Sequence, residues 1–287
     1  MLYLLVLPAA LLIGFVFGYP IIRYFWLSLH ASSVLTGLNI LPNKGANWIR
    51  ILEDDRFWQD IYQTFRFASL SVSLELVLAL LIALLLSQQF AGRGIVRALS
   101  LLPWALPTTV MALGWRWIFN TPYGTIEQIT NFLGIENINI LSNPDLACIA
   151  TVIADLWKTT PFIALILLAG LQTIPKDLYE AFKLEGGNEL ESLYRITLPL
   201  LSPYILIGIL FRSAQAFGVF DLIQVMTGGG PAGSTESIGL YAYLNAMRFL
   251  DFGYSATIIF FSFVILLLIC LLGLIIIRNS KIIFSSK

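Results

Sequence analysis

The chain has 287 residues, 58% of them hydrophobic and only 12% charged, and its 17 basic and 17 acidic side chains cancel to a formal net charge of zero. Ordinary soluble domains carry about a quarter charged residues, so this composition excludes a soluble globular protein, while a mean hydropathy of +0.83 excludes disorder, a collagen or a disulfide scaffold. Zero net charge also gives nucleic acid no electrostatic footing. An all-α, polytopic membrane protein is the class that remains.

A bilayer core about 30 Å thick needs roughly 20 apolar residues per helix, because backbone amides in lipid must be satisfied within the segment. Six stretches meet that length: Leu2 to Leu29, Phe67 to Leu86, Val96 to Phe119, Ala147 to Ile174, Leu198 to Val225 and Tyr254 to Ile277. The first is expected to be a retained helix and not a cleaved signal peptide, since Pro20 and Arg23 stand where a small-residue cleavage site would fall. Gly14 and Gly18 in it form a GxxxG that permits close helix approach. Pro103 and Pro107 interrupt the third stretch, Pro161 the fourth and Pro203 the fifth, and each removes an amide donor, so kinks are expected. Cys148 and Cys270 lie in or beside apolar runs and read as small hydrophobes.

Short basic loops stay in the cytoplasm. Arg93 and Arg97 lie between the second and third stretches, Lys176, Lys183 and Arg195 between the fourth and fifth, and Arg278, Lys281 and Lys287 after the sixth. On the other side, Lys44, Arg50 and Arg56 are offset by Glu53, Asp54, Asp55 and Asp60, no Lys or Arg occurs from Asn120 to Ala147, and Arg248 stands alone. Both termini are therefore expected in the cytoplasm. The whole of 1–287 reads as a single transmembrane domain.

Catalytic patterns are scarce. His30 is the sole histidine, so neither a zinc site nor a Ser/His/Asp arrangement can be built around it. The glycine-rich run Gly228 to Gly233, followed by Ser234 and Thr235, lacks the lysine that a phosphate loop needs after its second glycine. No nucleotide-binding sequence stands elsewhere, and any ATP that drives this protein must be hydrolysed by another chain.

The cytoplasmic loop between the fourth and fifth stretches carries the most information. Leu178 and Phe182 are four apart and Ala181 and Leu184 three apart, which makes an apolar stripe beside Glu180 and Glu185 on a short helix. Gly186 and Gly187 stop that helix. Leu190, Leu193 and Tyr194 form a second stripe, and Pro199 opens the next membrane helix. A helix, a bend and a second helix against the cytoplasmic face are predicted over 177–196.

This spacing resembles the EAA signature of ABC importer permeases, in which Glu-Ala-Ala, a glycine and a later Ile-x-Leu-Pro form the coupling helices. Glu180, Ala181, Gly186, Ile196, Leu198 and Pro199 match; Phe182 replaces the second alanine, Glu185 stands where aspartate is usual and Gly187 replaces a common alanine. The stretch Phe220 to Pro231, the later Asp251 to Tyr254, and Leu7, Pro8, Tyr19 and Pro20 resemble the sugar-permease branch, specifically its maltose/glycerol-phosphate type first subunit. The resemblance implies a type I importer permease fold and an inner-membrane transport subunit for a carbohydrate or related polyol. It implies a second homologous permease, two copies of a cytoplasmic ATPase that holds ATP and Mg, and an external solute-binding protein. It places ATPase coupling on Glu180, Ala181, Phe182, Leu184, Glu185 and Gly186, with no cofactor, metal or catalytic residue in this chain.

Intramembrane ionisable groups face a pathway, a partner helix or each other. Glu75, Arg116, Asp155, Lys158, Arg212 and Asp221 are such groups, and Asp155 and Lys158, three apart, can pair locally. Trp157, Lys158 and Thr160 near Pro161, Gln215, Phe217 and Asp221 on the fifth stretch, and Tyr241, Tyr243 and Asn245 beyond the glycine run are the candidates for lining a substrate pathway. Each aromatic among them also reads as core or interfacial belt. A self-contained secondary carrier or channel is the competing reading, against which stands the amphipathic cytoplasmic loop.

Overall fold

A computed structural model describes residues 2–135 and 138–279. Five helices are long and apolar enough to cross a bilayer: Val6–Ser28, Asp55–Ser87, Pro144–Thr173, Glu189–Phe217 and Phe252–Ile275. A sixth span exists if Arg93–Ala105 and Thr108–Ile118, bent by 89° where they meet, are counted as one. The expected third span is thus two helices. Leu106, held extended by the proline that follows it, breaks the run, and Pro107 then caps the second half. By contrast the helices continue through Pro161 and Pro203. The fifth span ends at Phe217, not at Val225 as expected: Gly218 caps it, and Asp221–Met226 follows as a separate short helix. Lys281 and Lys287 of the predicted cytoplasmic tail lie outside the described residues.

The chain packs as two compact units, Met1–Tyr62 with Glu236–Leu268, and Gln63–Thr235 with Ile269–Lys287. In the second unit, Ala79, Ala83 and Leu86 meet Ile163, Ala164, Leu167, Leu168 and Leu201 in one buried cluster. Lipid tails are as apolar as leucine, so helices associate through close packing. Small residues supply it here. A Cβ at Gly170 would lie 2.6 Å from the Tyr204 ring and 2.7 Å from Leu201.

In the first unit the initial helix runs through a π-helical turn at Gly14–Gly18 and continues as Tyr19–Ser28. Beyond its own helical turn, nothing among the described residues lies within 4 Å of a Cβ built on Gly14 or Gly18, so the GxxxG is packed against no other described helix. After it, His30–Ala31 pairs antiparallel with Leu41–Pro42. Asn47 Nδ2 donates to the carbonyls of Ser28 and His30, and Trp48 Nε1 donates to Ser28 Oγ. His30 packs, tilted by 32°, against Trp26 at 4.0 Å between ring centres. Its part is structural. Cys148 is buried and Cys270 half-buried, both as free thiols.

Candidate functional site

The predicted loop folds as an elbow. Lys176–Leu184 is one helix, Gly186 turns the chain at φ +87°, and Glu189–Ser192 is the next helix, capped reciprocally by Asn188 and Glu191. A π-helical turn at Leu193–Thr197 then leads into Leu198–Phe217. Tyr179 and Thr197 join the two arms through their hydroxyls at 3.0 Å, and Lys183 pairs with Glu189 at 3.6 Å. Phe182 is half-buried; Glu180, Ala181, Leu184, Glu185 and Gly186 are exposed. Leu184 is 91% exposed and Leu190 65%, a large unpaired apolar display at the bend.

A buried charge cluster sits deeper in the same unit. Arg212 Nε donates to Glu75, while its Nη2 donates to Asp155 and, at 3.2 Å, to Ser71, which in turn donates to Asp155. Glu75 and Arg212 are buried to 0% and 2% exposure, where an unpaired charge is untenable. Asp155 therefore turns to Arg212, and the local Asp155–Lys158 pair is not formed. Lys158 Nζ instead donates to the carbonyls of Trp104 and Leu106, which the break before Pro107 leaves without helical partners. Glu75, Asp155 and Arg212 each stand out in the sequence as ionisable residues in apolar runs. Their meeting does not, because their separations of 57 to 137 residues carry no periodic signal.

The pathway candidates divide between the units. Within Gln63–Thr235, Trp157 meets Trp115 edge-on at 6.0 Å, and Phe217 is buried against Phe65 at 5.3 Å. Gln215 Oε1 accepts from Arg212 at 3.4 Å, and Asp221, the first residue of its short helix, accepts from the adjacent Leu222 amide at 3.1 Å. Thr160 is 4% exposed, with its hydroxyl unpartnered. In the other unit Tyr241 and Asn245 are buried and Tyr243 exposed. The glycine run closes on itself through Thr227 and Thr235, 2.7 Å apart, with Thr235 donating to the Gly230 carbonyl. Ser234 is buried.

The first unit holds a second polar network, centred on Asp54. Its Oδ2 accepts from the phenols of Tyr241, at 2.6 Å, and Tyr254. Arg50 lies 3.7 Å over the Tyr254 ring while pairing with Asp251 at 2.7 Å, and Arg56 lies 5.0 Å over Tyr241 while pairing with Glu236 at 2.8 Å. Burial alone would raise the Asp54 carboxyl, but the two phenols and the amides of Phe57 and Arg56 outweigh it and hold it below the ordinary range. Burial and the hydrogen bond to Asp54 push the Tyr241 phenol up to about 12. Sequence alone marks Asp54 only as one acid among several that offset a basic loop. Among the described residues no group of three His, Cys, Asp or Glu side chains is arranged to hold a metal ion.

Apolar, membrane-length helices with an exposed amphipathic elbow between two of them mark a membrane protein, and comparison with known proteins gives the family. The chain belongs to the family described as binding-protein-dependent transport system inner membrane component, whose profile matches residues 75–281 and so includes the whole elbow. It is 41% identical over 269 residues to the trehalose/maltose transport system permease protein MalF of Thermococcus litoralis, covering 92% of this chain and 89% of that one. It is 35% identical over 276 residues to the sulfoquinovosyl glycerol transport system permease protein SmoG of Agrobacterium fabrum, covering 96% and 90%. Its fold matches a chain in the crystal structure of a bacterial ABC transporter involved in the import of the acidic polysaccharide alginate, with a TM-score of 0.82 at 20% identity over 98% of this chain and 96% of that one. The protein is thus a permease subunit with the type I importer fold.

Proposed function

We propose that this chain forms half of the translocation pathway of an importer for a carbohydrate or related polyol, beside a second, homologous permease. Cargo comes from an external solute-binding protein, and a cytoplasmic ATPase dimer holding ATP and Mg supplies the work. The observation that carries this reading is the elbow at 177–196: exposed Leu184 and Leu190 stand beside Glu180 and Glu185 on a capped segment continuous with a membrane helix. A self-contained carrier has no use for such a surface. The relatives named for trehalose/maltose and sulfoquinovosyl glycerol support the cargo class.

In this reading the ATPase grips Glu180, Ala181, Phe182, Leu184, Glu185 and Gly186, and both termini face the cytoplasm. Trp157, Lys158, Thr160, Gln215, Phe217 and Asp221, with Tyr241, Tyr243 and Asn245, are the proposed surroundings of the pathway. Exposed Trp157, Gln215 and Tyr243 are the positions at which cargo contact is most direct. The glycine run receives cargo from the binding protein. Its exposed Ala232, not the buried Ser234, is the place for a crosslinking cysteine.

The test is reconstitution with the second permease, ATPase and binding protein. Glu180→Lys combined with Gly186→Pro reverses a charge and forbids the left-handed turn, since proline holds φ near −65°. Binding-protein-stimulated ATP hydrolysis should vanish while membrane insertion persists. Uphill uptake by this chain alone, without nucleotide, would overturn the proposal.

A further inference from the structure

The amphipathic helix Arg93–Ser100 follows the end of the membrane helix Asp55–Ser87 after five residues. Ile95 and Leu99, four apart, are exposed apolar side chains. Arg93 and Arg97, also four apart, make a basic row on another face, and Val96 and Ser100 lie beside that row. Val96 and Ser100 also line an open groove of about 440 Å³ whose other walls are Ile82, Leu85, Leu86 and Phe90, with Gln88 at its polar side.

Arg97 stands at the rim. One guanidinium nitrogen donates to the carbonyl of Leu86, a groove residue, at 2.6 Å, while its buried Nε has no acceptor. No Asp or Glu occurs in the sequence between Glu75 and Glu127. Among the described residues neither Arg93 nor Arg97 makes an ion pair. The site therefore joins an apolar slot at a membrane boundary to two cations and an unmet donor. Basic pockets between membrane helices on the cytoplasmic side suit anionic headgroups, and an amphipathic helix in the interface buries its apolar face among acyl chains.

We infer that this groove binds an anionic glycerophospholipid, with an acyl chain along Ile82, Leu86, Phe90 and Val96 and the phosphate on Arg93 and Arg97. The inference rests on the orientation proposed above, which places this end of the helix in the cytoplasmic leaflet. The lipid would hold the start of the broken span Arg93–Ala105 against the helix Asp55–Ser87.

The full chain, purified in detergent and stripped of lipid, is titrated with phosphatidylglycerol or phosphatidylcholine and bound lipid is read by native mass spectrometry. Phosphatidylglycerol should bind preferentially, and Arg93→Gln and Arg97→Gln should each weaken it by about fivefold. Arg97→Lys should keep most of the preference, which separates loss of charge from loss of fold, and Val96→Trp should weaken both lipids by filling the slot. Equal binding of the two lipids, or an unchanged preference in the double Arg93→Gln, Arg97→Gln chain, overturns the inference. The proposed function stands or falls separately, by the coupled ATPase assay on the elbow.

Discussion

Phe182 lies over Gly187 so closely that a Cβ at position 187 would come within 2.1 Å of a ring carbon. Both positions depart from the alanines of the signature that the elbow resembles, and the two departures compensate: the larger side chain at one site occupies the space that the missing methyl leaves at the other. Gly187→Ala alone should displace the elbow at a cost of about 1–3 kcal/mol of overpacking and depress stimulated ATP hydrolysis. Phe182→Ala with Gly187→Ala should restore coupling toward the parent level. The four-corner set of ATPase assays checks this, and additive losses in the double variant would refute compensation.

The Arg212 cluster predicts an asymmetry. Arg212→Met leaves Glu75 and Asp155 buried without their cation, and should cost about 3–5 kcal/mol. Glu75→Gln keeps a hydrogen-bond acceptor for Arg212 and leaves Asp155 to balance the charge, so its cost should be much smaller. Thermal unfolding of the purified chain in detergent gives both values.

The Asp54 network predicts loss of stability at both ends of the pH range. Asp54 is held below its ordinary value near 4, so its contribution is present above that value and is lost as pH falls through the lower folded-state value. Tyr241 is raised to about 12, so its contribution is complete below about 10, the ordinary phenol value, and is lost as pH rises through about 12. Unfolding midpoints measured across pH should fall at both limits. Tyr241→Phe should flatten the alkaline limb.

Close helix approach at Gly170 predicts intolerance of any side chain there. Gly170→Val would drive Cβ and two methyls into Tyr204 and Leu201 and should cost at least about 1–3 kcal/mol. Gly14→Val, where nothing among the described residues beyond its own helical turn lies within 4 Å, should leave the isolated chain's unfolding midpoint nearly unchanged. The same unfolding assay separates the two.

Composition and spacing made the architecture legible because its cause is local. A backbone in lipid must satisfy its own hydrogen bonds, so apolar length marks Asp55–Ser87, Pro144–Thr173 and Phe252–Ile275 without reference to any neighbour. The elbow was legible for the same reason, as helical stripes stopped by glycine within twenty residues. The third span was only half legible: Pro103 and Pro107 announce an interruption, but neither its 89° angle nor Lys158 reaching the freed carbonyls from another helix can be read along the chain.

Pairing choices belong to the tertiary structure. Asp155 has Lys158 three residues away and takes Arg212, 57 residues away, because only burial decides which charge most needs a partner. Asp54 likewise gains its role from Tyr241 and Tyr254, 187 and 200 residues away. Sequence by itself determined the apolar, membrane-length helices and the amphipathic elbow between two of them; the folded chain alone decided which buried charges meet, because desolvation acts on neighbours in space and leaves no period along the chain.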